Sequence, residues 1–180
     1  MSNPDKINLR RILKQKRELI SSQRRLEASE AAKQLLLTYC ADVSLVLSYV
    51  SFNNELDLSP INNHLIREKK LALPGMIGNE IVLYQVLDMK NLQKHRLGFL
   101  QPDPNKCPLI ANSLVQLAFI PGLGFDKSNK NRLGYGQGHY DCFLPHLEKA
   151  KLFGVGFEEQ EIHSFPIEEH DIAMHEVYLF

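Results

Sequence analysis

The segment Pro121–Asp141, PGLGFDKSNKNRLGYGQGHYD, carries more information than any other part of the chain. Within it Gly134, Gly136 and Gly138 alternate with other residues, between Arg132 and Asp141. Glycine reaches backbone conformations with φ > 0, so successive N–H groups in such a segment can converge on an anion. Arginine binds phosphate oxygens, and aspartate is an oxygen ligand for Mg²⁺. The segment predicts a loop that holds a polyphosphate and its metal, with a glycine-rich surface turn as the alternative.

The two commonest phosphate-binding signatures are absent from this loop. No Lys-Ser or Lys-Thr pair follows a glycine at the spacing of a Walker loop. In a G-x-G-x-x-G fingerprint the third glycine would fall at His139, and Gly138 comes one residue too early. By spacing, the loop belongs to neither class.

Outward from the loop, helical and strand patterns alternate along the chain. Helical spacing of apolar residues predicts an N-terminal helical pair at 5–20 and 22–39, with Ser21 or Ser22 as the second N-cap. Further helices are predicted at 59–69 and 141–150, and strands at 44–51, 71–73, 81–86, 115–120, 152–157 and 177–180. The alternation predicts an α/β fold: one domain over residues 1–180, with an open, mostly parallel, Rossmann-like sheet in three layers flanked by helices.

Composition limits the classes of function. The net charge is zero, with 21 basic and 21 acidic residues, so no global field favours nucleic acid or membrane partners. No apolar run approaches the ~20 residues of a membrane span, and no secretory signal is apparent. Three scattered cysteines indicate a reducing compartment. We expect a cytoplasmic monomer with small-molecule partners. RNA binding through the basic first helices is disfavoured because residues 1–33 contain no aromatic side chain.

Ligands of open α/β sheets bind beyond the carboxyl ends of the strands. One such end precedes Glu55, whose carboxylate could accept N–H groups of a ligand heterocycle, although most loop acids have no such role. Lys6 and Arg10 share one helix face and could reach phosphate, or form a solvated face. Asp171 could complete a metal shell with Asp141. No nucleophile motif is present, which favours phosphoryl transfer, a reaction catalysed by positioning and charge neutralisation.

These residues resemble those of the 5-formyltetrahydrofolate cyclo-ligase family, also called methenyltetrahydrofolate synthetases. The similarity runs nearly end to end, and the glycine segment matches the family signature of a Pro-Gly-x-x-Phe-Asp turn followed by Arg-Leu-Gly-x-Gly-x-Gly-x-Tyr-Asp. The companion motifs occur in the family order: Lys6 with Arg10, the acid at Glu55, Gln101-Pro102, Phe157–Gln160 and Pro166–Asp171.

The resemblance implies a ligase of one-carbon metabolism, with ATP as co-substrate and Mg²⁺ as cofactor, that cyclises 5-formyltetrahydrofolate to 5,10-methenyltetrahydrofolate. Arg132 and Tyr140 are implied as catalytic residues, and Asp141 and Asp171 as Mg²⁺ ligands. The nucleotide contacts implied are Lys6, Arg10, Arg132, Leu133, Gly134, Tyr135, Gly136, Gln137, Gly138, His139 and Tyr140. The folate contacts implied are Val50, Glu55, Tyr135 and His139.

Four positions depart from the family pattern, and one of them is His139, which replaces a frequent aromatic residue. Tyr135 and Gln137 stand between the signature glycines, where many members carry a basic residue, and Gly75 stands where arginine is frequent. The loop therefore carries less positive charge than is usual in the family. A folate- or nucleotide-binding module without catalysis is the alternative function that this lower charge leaves open.

Overall fold

The computed structural model describes residues 4–180, and four α-helices lie within them. They are α1 (Pro4–Glu18), α2 (Ser22–Cys40), α3 (Ser59–Arg67) and α4 (His139–Phe143). The turn between α1 and α2 ends at Ser21, whose hydroxyl accepts the N–H of Arg24 at 3.2 Å. This hydroxyl caps the exposed N–H groups at the start of α2, so the predicted N-terminal helical pair and its cap are confirmed.

Eleven strands follow in chain order. They are β1 (Val46–Leu47), β2 (Leu71–Ile77), β3 (Glu80–Gln85), β4 (Leu92–Lys94), β5 (Leu100–Pro102), β6 (Leu109–Ile110), β7 (Leu117–Ile120), β8 (Gly124–Asp126), β9 (Asn131–Leu133), β10 (Lys151–Gly156) and β11 (Glu176–Leu179). Seven of them form one sheet in the order β11-β10-β7-β1-β2-β3-β6, and β4-β5 and β8-β9 form two hairpins.

The large sheet is mostly parallel, as predicted. Strands β11, β10, β7, β1 and β2 pair in parallel, and β3 and β6 add an antiparallel edge. The central strand β7 is buried throughout, because helices or helical turns cover both faces of the sheet. Parallel pairing places the carboxyl ends of β1 and β7 side by side, at Leu47 and Ile120.

Alternate residues of β7 enter two separate cores. Leu117 and Phe119 pack with apolar residues of α2 and α3, including Leu36 and Leu65. Ala118 and Ile120 face the opposite side, where α4 and the helical turn after it pack. Helices, sheet and helices therefore make the three layers that the sequence predicts.

Three elements differ markedly in length from the prediction. The strand predicted at 44–51 is reduced to Val46–Leu47. The strand predicted at 71–73 continues through Pro74 and Gly75 to Ile77. Strand β1 pairs only with Leu71 and Ala72, so Pro74 has no β1 residue opposite it and its missing N–H interrupts no bond on that side. Tyr84 lies on the neighbouring strand, where a Cβ at Gly75 would meet its ring at 2.7 Å.

The helix predicted at 141–150 is much shorter. Helix α4 ends at Phe143, and a 3₁₀ turn at Leu144–His146 follows it, with Pro145 in the first positions of that turn. Proline in a helix interior removes a hydrogen bond and clashes with the preceding turn, whereas the first positions accept it. No helix within residues 4–180 has the length and apolar character needed to cross a bilayer.

Candidate active site

A cavity of about 250 Å³ lies where the carboxyl ends of β1 and β7 meet. The segment after β1 forms one wall with Tyr49, Val50, Phe52 and Glu55. The glycine loop between β9 and α4 forms the opposite wall. Residues of that wall are Arg132, Gly134, Tyr135, Gly136, Gln137, Gly138, His139, Tyr140 and Asp141. The structure thus brings together two segments that lie about 80 residues apart in the chain, as the C-terminal-edge rule predicts.

The glycine loop turns sharply between β9 and α4. Gly136 and Gly138 have φ values of 95° and 69°, in the left-handed region that favours glycine. Among the described residues, no backbone carbonyl accepts the N–H groups of residues 134–139. Uncommitted N–H groups in a φ > 0 turn form a concave anion site. The loop therefore has the backbone chemistry for binding phosphate oxygens.

Arg10 supports this loop from outside the cavity. Its Nε donates to the carbonyl oxygen of Gly134 at 2.9 Å. A Cβ on Gly136 would lie 3.2 Å from the Arg10 guanidinium carbon. The wall of the cavity, as formed by residues 4–180, does not include Arg10. The contact seen here is with the loop backbone.

Arg132 and Asp141 stand at the two ends of the loop and form an ion pair. Arg132 Nη2 lies 2.5 Å from Asp141 Oδ1, and the guanidinium carbon lies 5.4 Å from the Tyr140 ring centroid. Arg132 is only 6% exposed, and its Nε has no hydrogen-bond acceptor among the described residues. A buried donor without a partner is costly, so it marks a place where a ligand acceptor would be favourable.

Glu55 is the acidic group of the opposite wall. Its Oε1 accepts the Tyr135 hydroxyl at 2.8 Å, and its Oε2 accepts the Phe52 N–H at 3.0 Å. Burial raises the pKa of the Glu55 carboxyl, while these two hydrogen bonds and the charge of Arg17 act in the opposite direction. The tyrosines nearby remain neutral phenols, because burial and the Glu55 charge raise the pKa of Tyr49 and Tyr140.

An aromatic part of the wall is absent from the sequence-based prediction. Phe99 lines the cavity from the loop of the β4–β5 hairpin, directly before β5, and Phe52 faces it edge-on with ring centroids 6.0 Å apart. His95 stacks on the other side of Phe99 at 4.4 Å. The segment between β3 and β6 has no strong strand periodicity, so its pattern gave no signal that it approaches the site.

Besides Arg10, three further predicted nucleotide or metal contacts lie away from the cavity wall: Leu133, Lys6 and Asp171. The Leu133 side chain is 1% exposed and packs with Leu13 and Phe165, and the carbonyl of Leu133 accepts the N–H of Leu123. Lys6 and Asp171 bind each other, with Lys6 Nζ 2.6 Å from Asp171 Oδ2.

The two predicted Mg²⁺ ligands, Asp141 and Asp171, have different surroundings. Asp141 lines the cavity, and its Oδ1 is paired with Arg132, so one carboxylate at the cavity fits an ion that takes its remaining ligands from phosphate and water. Asp171 belongs to a separate cluster with Glu168 and His170. There the Lys6 ammonium occupies the position that a metal ion would take, since it also lies 2.7 Å from Glu168 Oε2. In this arrangement Asp171 does not fit a metal-ligand role.

The model of the 5-formyltetrahydrofolate cyclo-ligase family matches residues 2–179. A mouse protein named 5-formyltetrahydrofolate cyclo-ligase is 28% identical, over 97% of this chain and 93% of its own length. A protein of the same name from Haemophilus influenzae is 23% identical, over 86% of each chain.

Solved structures give the same result. The structure of 5,10-methenyltetrahydrofolate synthetase from Aquifex aeolicus superposes with a TM-score of 0.85 at 30% identity, covering 96% of this chain and 88% of that one. The synthetase from Mycoplasma pneumoniae shares the fold, with a TM-score of 0.78 at 20% identity over 96% and 97% of the two chains. The predicted fold class and the predicted ligase class are confirmed. This chain is a member of the 5-formyltetrahydrofolate cyclo-ligase family.

Proposed function

We propose that this protein catalyses the ATP-dependent cyclisation of 5-formyltetrahydrofolate to 5,10-methenyltetrahydrofolate, with release of ADP and phosphate. The observation that carries the proposal is the shape of one cavity. Uncommitted backbone N–H groups and Arg132 form one wall, and the partly buried carboxylate of Glu55 faces them in the same space. A phosphate group and a nitrogen heterocycle would thereby be held side by side.

The nucleotide would bind on the loop side. The N–H groups of residues 134–139 would donate hydrogen bonds to phosphate oxygens, and Arg132, with its buried Nε free of protein acceptors, would add positive charge. Asp141 would hold Mg²⁺ from the end of the loop, and the ion would supply neutralisation of the charge that develops on the phosphates. Lys6 and Arg10 are proposed to reach the nucleotide once it is bound. Without it, Lys6 contacts Asp171 in the C-terminal segment, and Arg10 contacts the backbone of the glycine loop.

The folate would bind on the Glu55 side. Its ring N–H groups would donate to the carboxylate, and Val50, Tyr135 and His139 would line the ring, with Phe52 and Phe99 closing the apolar side. A cavity of about 250 Å³ is at the small end for ligand sites. It would therefore enclose the reacting groups, while the adenosine and the glutamate tail extend towards solvent.

The chemistry needs alignment more than a protein nucleophile. The formyl oxygen attacks the γ-phosphorus of ATP, and the bond to the ADP oxygen breaks. The neighbouring folate nitrogen then attacks the formyl carbon and loses its proton, and the carbon–oxygen bond breaks to release phosphate. Arg132 and Tyr140 are proposed to position the transferring phosphoryl group. Holding the formyl oxygen in line with phosphorus can supply about 7–11 kcal/mol of the barrier.

We place this reaction in the cytoplasm, carried out by a monomer with small-molecule partners. The three cysteines are all free, and two of them are buried. Free cysteines support a reducing compartment. The lower positive charge of the loop, with Tyr135 and Gln137 between the glycines, favours one competing function: a folate- or nucleotide-binding module without turnover.

A single assay separates these functions. Purified protein is mixed with 5-formyltetrahydrofolate, ATP and Mg²⁺, and the absorbance of the methenyl product is followed, with ATP omitted as the control. We expect ATP-dependent product formation and stoichiometric ADP. Calorimetric binding of folate and ATP without product would instead establish the binding module, and absence of both would reject the site.

A further inference from the structure

Arg17 is a buried cation behind the cavity wall. It belongs to α1, is 3% exposed, and does not line the cavity. Its Nη2 donates to the Tyr135 hydroxyl at 2.7 Å and to the Asn53 carbonyl at 2.8 Å, and Nη1 reaches the Gly122 carbonyl at 3.4 Å. All three acceptors are neutral. Within residues 4–180 no carboxylate lies at ion-pair distance from Arg17.

A buried charge without an opposite charge nearby is unfavourable. The acid that compensates Arg17 is Glu55, one hydrogen bond further on. The Tyr135 hydroxyl accepts from Arg17 and donates to Glu55 Oε1 at 2.8 Å, so the three side chains form one chain of hydrogen bonds. It links α1, the glycine loop and the segment after β1.

The donors and acceptors available on these side chains fix the direction of each hydrogen bond from Arg17 to Glu55. Arginine has no acceptor atom, so Tyr135 must accept from Arg17 and its single hydrogen is free only for Glu55. The second Glu55 oxygen already accepts the Phe52 N–H at 3.0 Å. Both carboxylate oxygens therefore accept a hydrogen bond from a fixed donor. These bonds favour the ionised form of Glu55 and oppose the effect of burial.

We propose that Arg17 is a positioning residue for the folate: through the Tyr135 hydroxyl it holds Glu55 as an ionised acceptor, oriented for the N–H groups of the tetrahydropterin ring. This inference rests on the proposed function, since it assigns the means by which the folate side of that site is prepared. Arg17 touches neither substrate, and it acts through Tyr135 and Glu55.

The groups around Glu55 support this role. Burial raises the pKa of its carboxyl, and Tyr135, the Phe52 N–H and Arg17 oppose that rise. The other titratable groups that interact with it are Tyr49 and Tyr140, both neutral phenols. Lys14 lies 5.9 Å from the centroid of the Tyr135 ring but makes no hydrogen bond to the hydroxyl, so it is a natural control for charge without the hydrogen-bond chain.

A purely structural role for Arg17 predicts different results. Arg17 also holds the Asn53 and Gly122 carbonyls, so its loss would lower stability in either case. Only the positioning role predicts a change in the ionisation of Glu55 and a selective loss of folate affinity. Tyr135→Phe separates the two, because it removes the hydroxyl and leaves both carbonyl contacts of Arg17 in place.

The experiment compares the full-length protein with Arg17→Gln, Tyr135→Phe and Lys14→Gln. The side-chain carboxyl carbon of Glu55 is followed by ¹³C NMR during a pH titration and assigned with Glu55→Gln. In Arg17→Gln and Tyr135→Phe we expect Glu55 to titrate at higher pH than in the wild type, while Lys14→Gln leaves it unchanged. If Arg17→Gln does not fold, Arg17→Met takes its place with the same expected shift, because the Tyr135 hydroxyl lowers the pKa of Glu55 directly and its loss alone does not isolate Arg17. An unchanged Glu55 titration in Tyr135→Phe overturns the inference.

Steady-state kinetics add the functional readout. In Tyr135→Phe and Arg17→Gln the KM for 5-formyltetrahydrofolate should rise about tenfold, as for the loss of a hydrogen bond to a charged group, with the KM for ATP nearly constant. An equal rise in both KM values would overturn the positioning role. The NMR titration needs no turnover, so a wild-type protein that forms no product would reject the proposed function while the titration still decides whether Arg17 controls Glu55.

Discussion

Arg132 Nη2 and Asp141 Oδ1 lie 2.5 Å apart, and the glycine loop spans the eight residues between them. The ion pair ties the end of β9 to the first turn of α4 and so closes the loop. Arg132 is the proposed phosphate-binding cation, and Asp141 is the proposed metal-binding carboxylate. In the absence of both ligands these two side chains are paired with each other. A nucleotide phosphate and its Mg²⁺ would share this pair, with each binding the member of opposite charge.

The first prediction concerns the carboxylate of this pair. Asp141→Asn should lower kcat about 100-fold or more, because the amide is a poor ligand for Mg²⁺ and leaves the buried Arg132 without its counter-charge. The measurement is turnover as a function of Mg²⁺ concentration, with binding of Mn²⁺–ATP followed by electron paramagnetic resonance.

Asp88→Asn is the matched control, because Asp88 is exposed and its Oδ1 only accepts the Lys90 N–H at 2.9 Å. It should behave as the wild type. Normal metal dependence in Asp141→Asn would remove Asp141 from the metal site.

The second prediction separates backbone strain from ligand binding. Gly136 and Gly78 both have positive φ, 95° and 61°, so alanine should destabilise either site by about 1–2 kcal/mol. A Cβ at Gly136 also crowds Arg10 at 3.2 Å, whereas nothing lies within 4 Å at Gly78. Gly136→Ala should therefore raise the KM for ATP, because the loop N–H groups move. Thermal unfolding and kinetics measure both effects.

Gly78→Ala supplies the comparison, since it lies in the turn between β2 and β3. The same loss of stability with an unchanged KM for ATP is expected there. Equal KM values for the two variants would argue against phosphate binding by the loop.

The third prediction addresses the anchor of α1. Lys6 is 2% exposed and holds Glu168 and Asp171 at 2.7 and 2.6 Å. Lys6→Met should lower the free energy of unfolding by about 1–3 kcal/mol, because two charge-assisted hydrogen bonds are lost and the carboxylates are left to repel each other. Urea unfolding measures the change.

Lys33→Met provides the reference for a surface ion pair, since Lys33 lies 3.3 Å from Glu30 on the exposed face of α2. Its loss should cost less than about 0.5 kcal/mol. A Lys6→Met variant as stable as Lys33→Met would show that the buried contact contributes no more than a surface ion pair.

The fourth prediction uses the pH dependence of stability. Burial raises the pKa of Glu55 above its ordinary value of 4.5, so the folded state binds this proton more tightly than the unfolded chain does. The corresponding stability is present below pH 4.5 and is lost as the pH rises through the folded pKa. Glu55→Gln has no such proton. Its stability relative to the wild type should therefore increase from about pH 4 to about pH 8.

Urea unfolding at several pH values measures that difference, in which the other titrating groups cancel. A constant difference across this range would mean that burial does not perturb the ionisation of Glu55. Glu55→Gln should also bind folate more weakly, because the charged acceptor is lost. Together the two results would show that the protein gives up some stability to keep a charged acceptor in the cavity.

Much of the fold follows from local pattern. The periodicity of α1 and α2, the cap at Ser21 and the apolar run of β7 are short-range signals, and the structure confirms them. The errors fall where neighbours override local preference. Pro74 and Gly75 look like a strand end, yet the strand continues because β3 pairs with it along its whole length. The hairpin strands β4, β5, β8 and β9 are three residues each, too short for periodicity to show.

The site was predicted in part. The rule for parallel sheets correctly places Glu55 and the glycine loop at one cavity. Phe99 was missed because a single aromatic residue in an irregular segment carries no directional signal. The nucleotide and metal roles of individual residues stay predictions until a complex is studied.

The sequence by itself determined the family and the order of the helices and of strands β1, β2, β3, β7, β10 and β11, because these depend on residues close together in the chain. For the same reason it predicts the chemistry of the loop. Only the tertiary structure decided which charges meet. Lys6 is paired with Asp171 across 165 positions, and Arg17, on the same helix α1, reaches Glu55 through Tyr135. Packing of the folded chain decides these partners, because a buried charge is stable only near an opposite charge. The spacing of residues along the sequence does not predict which charges will meet.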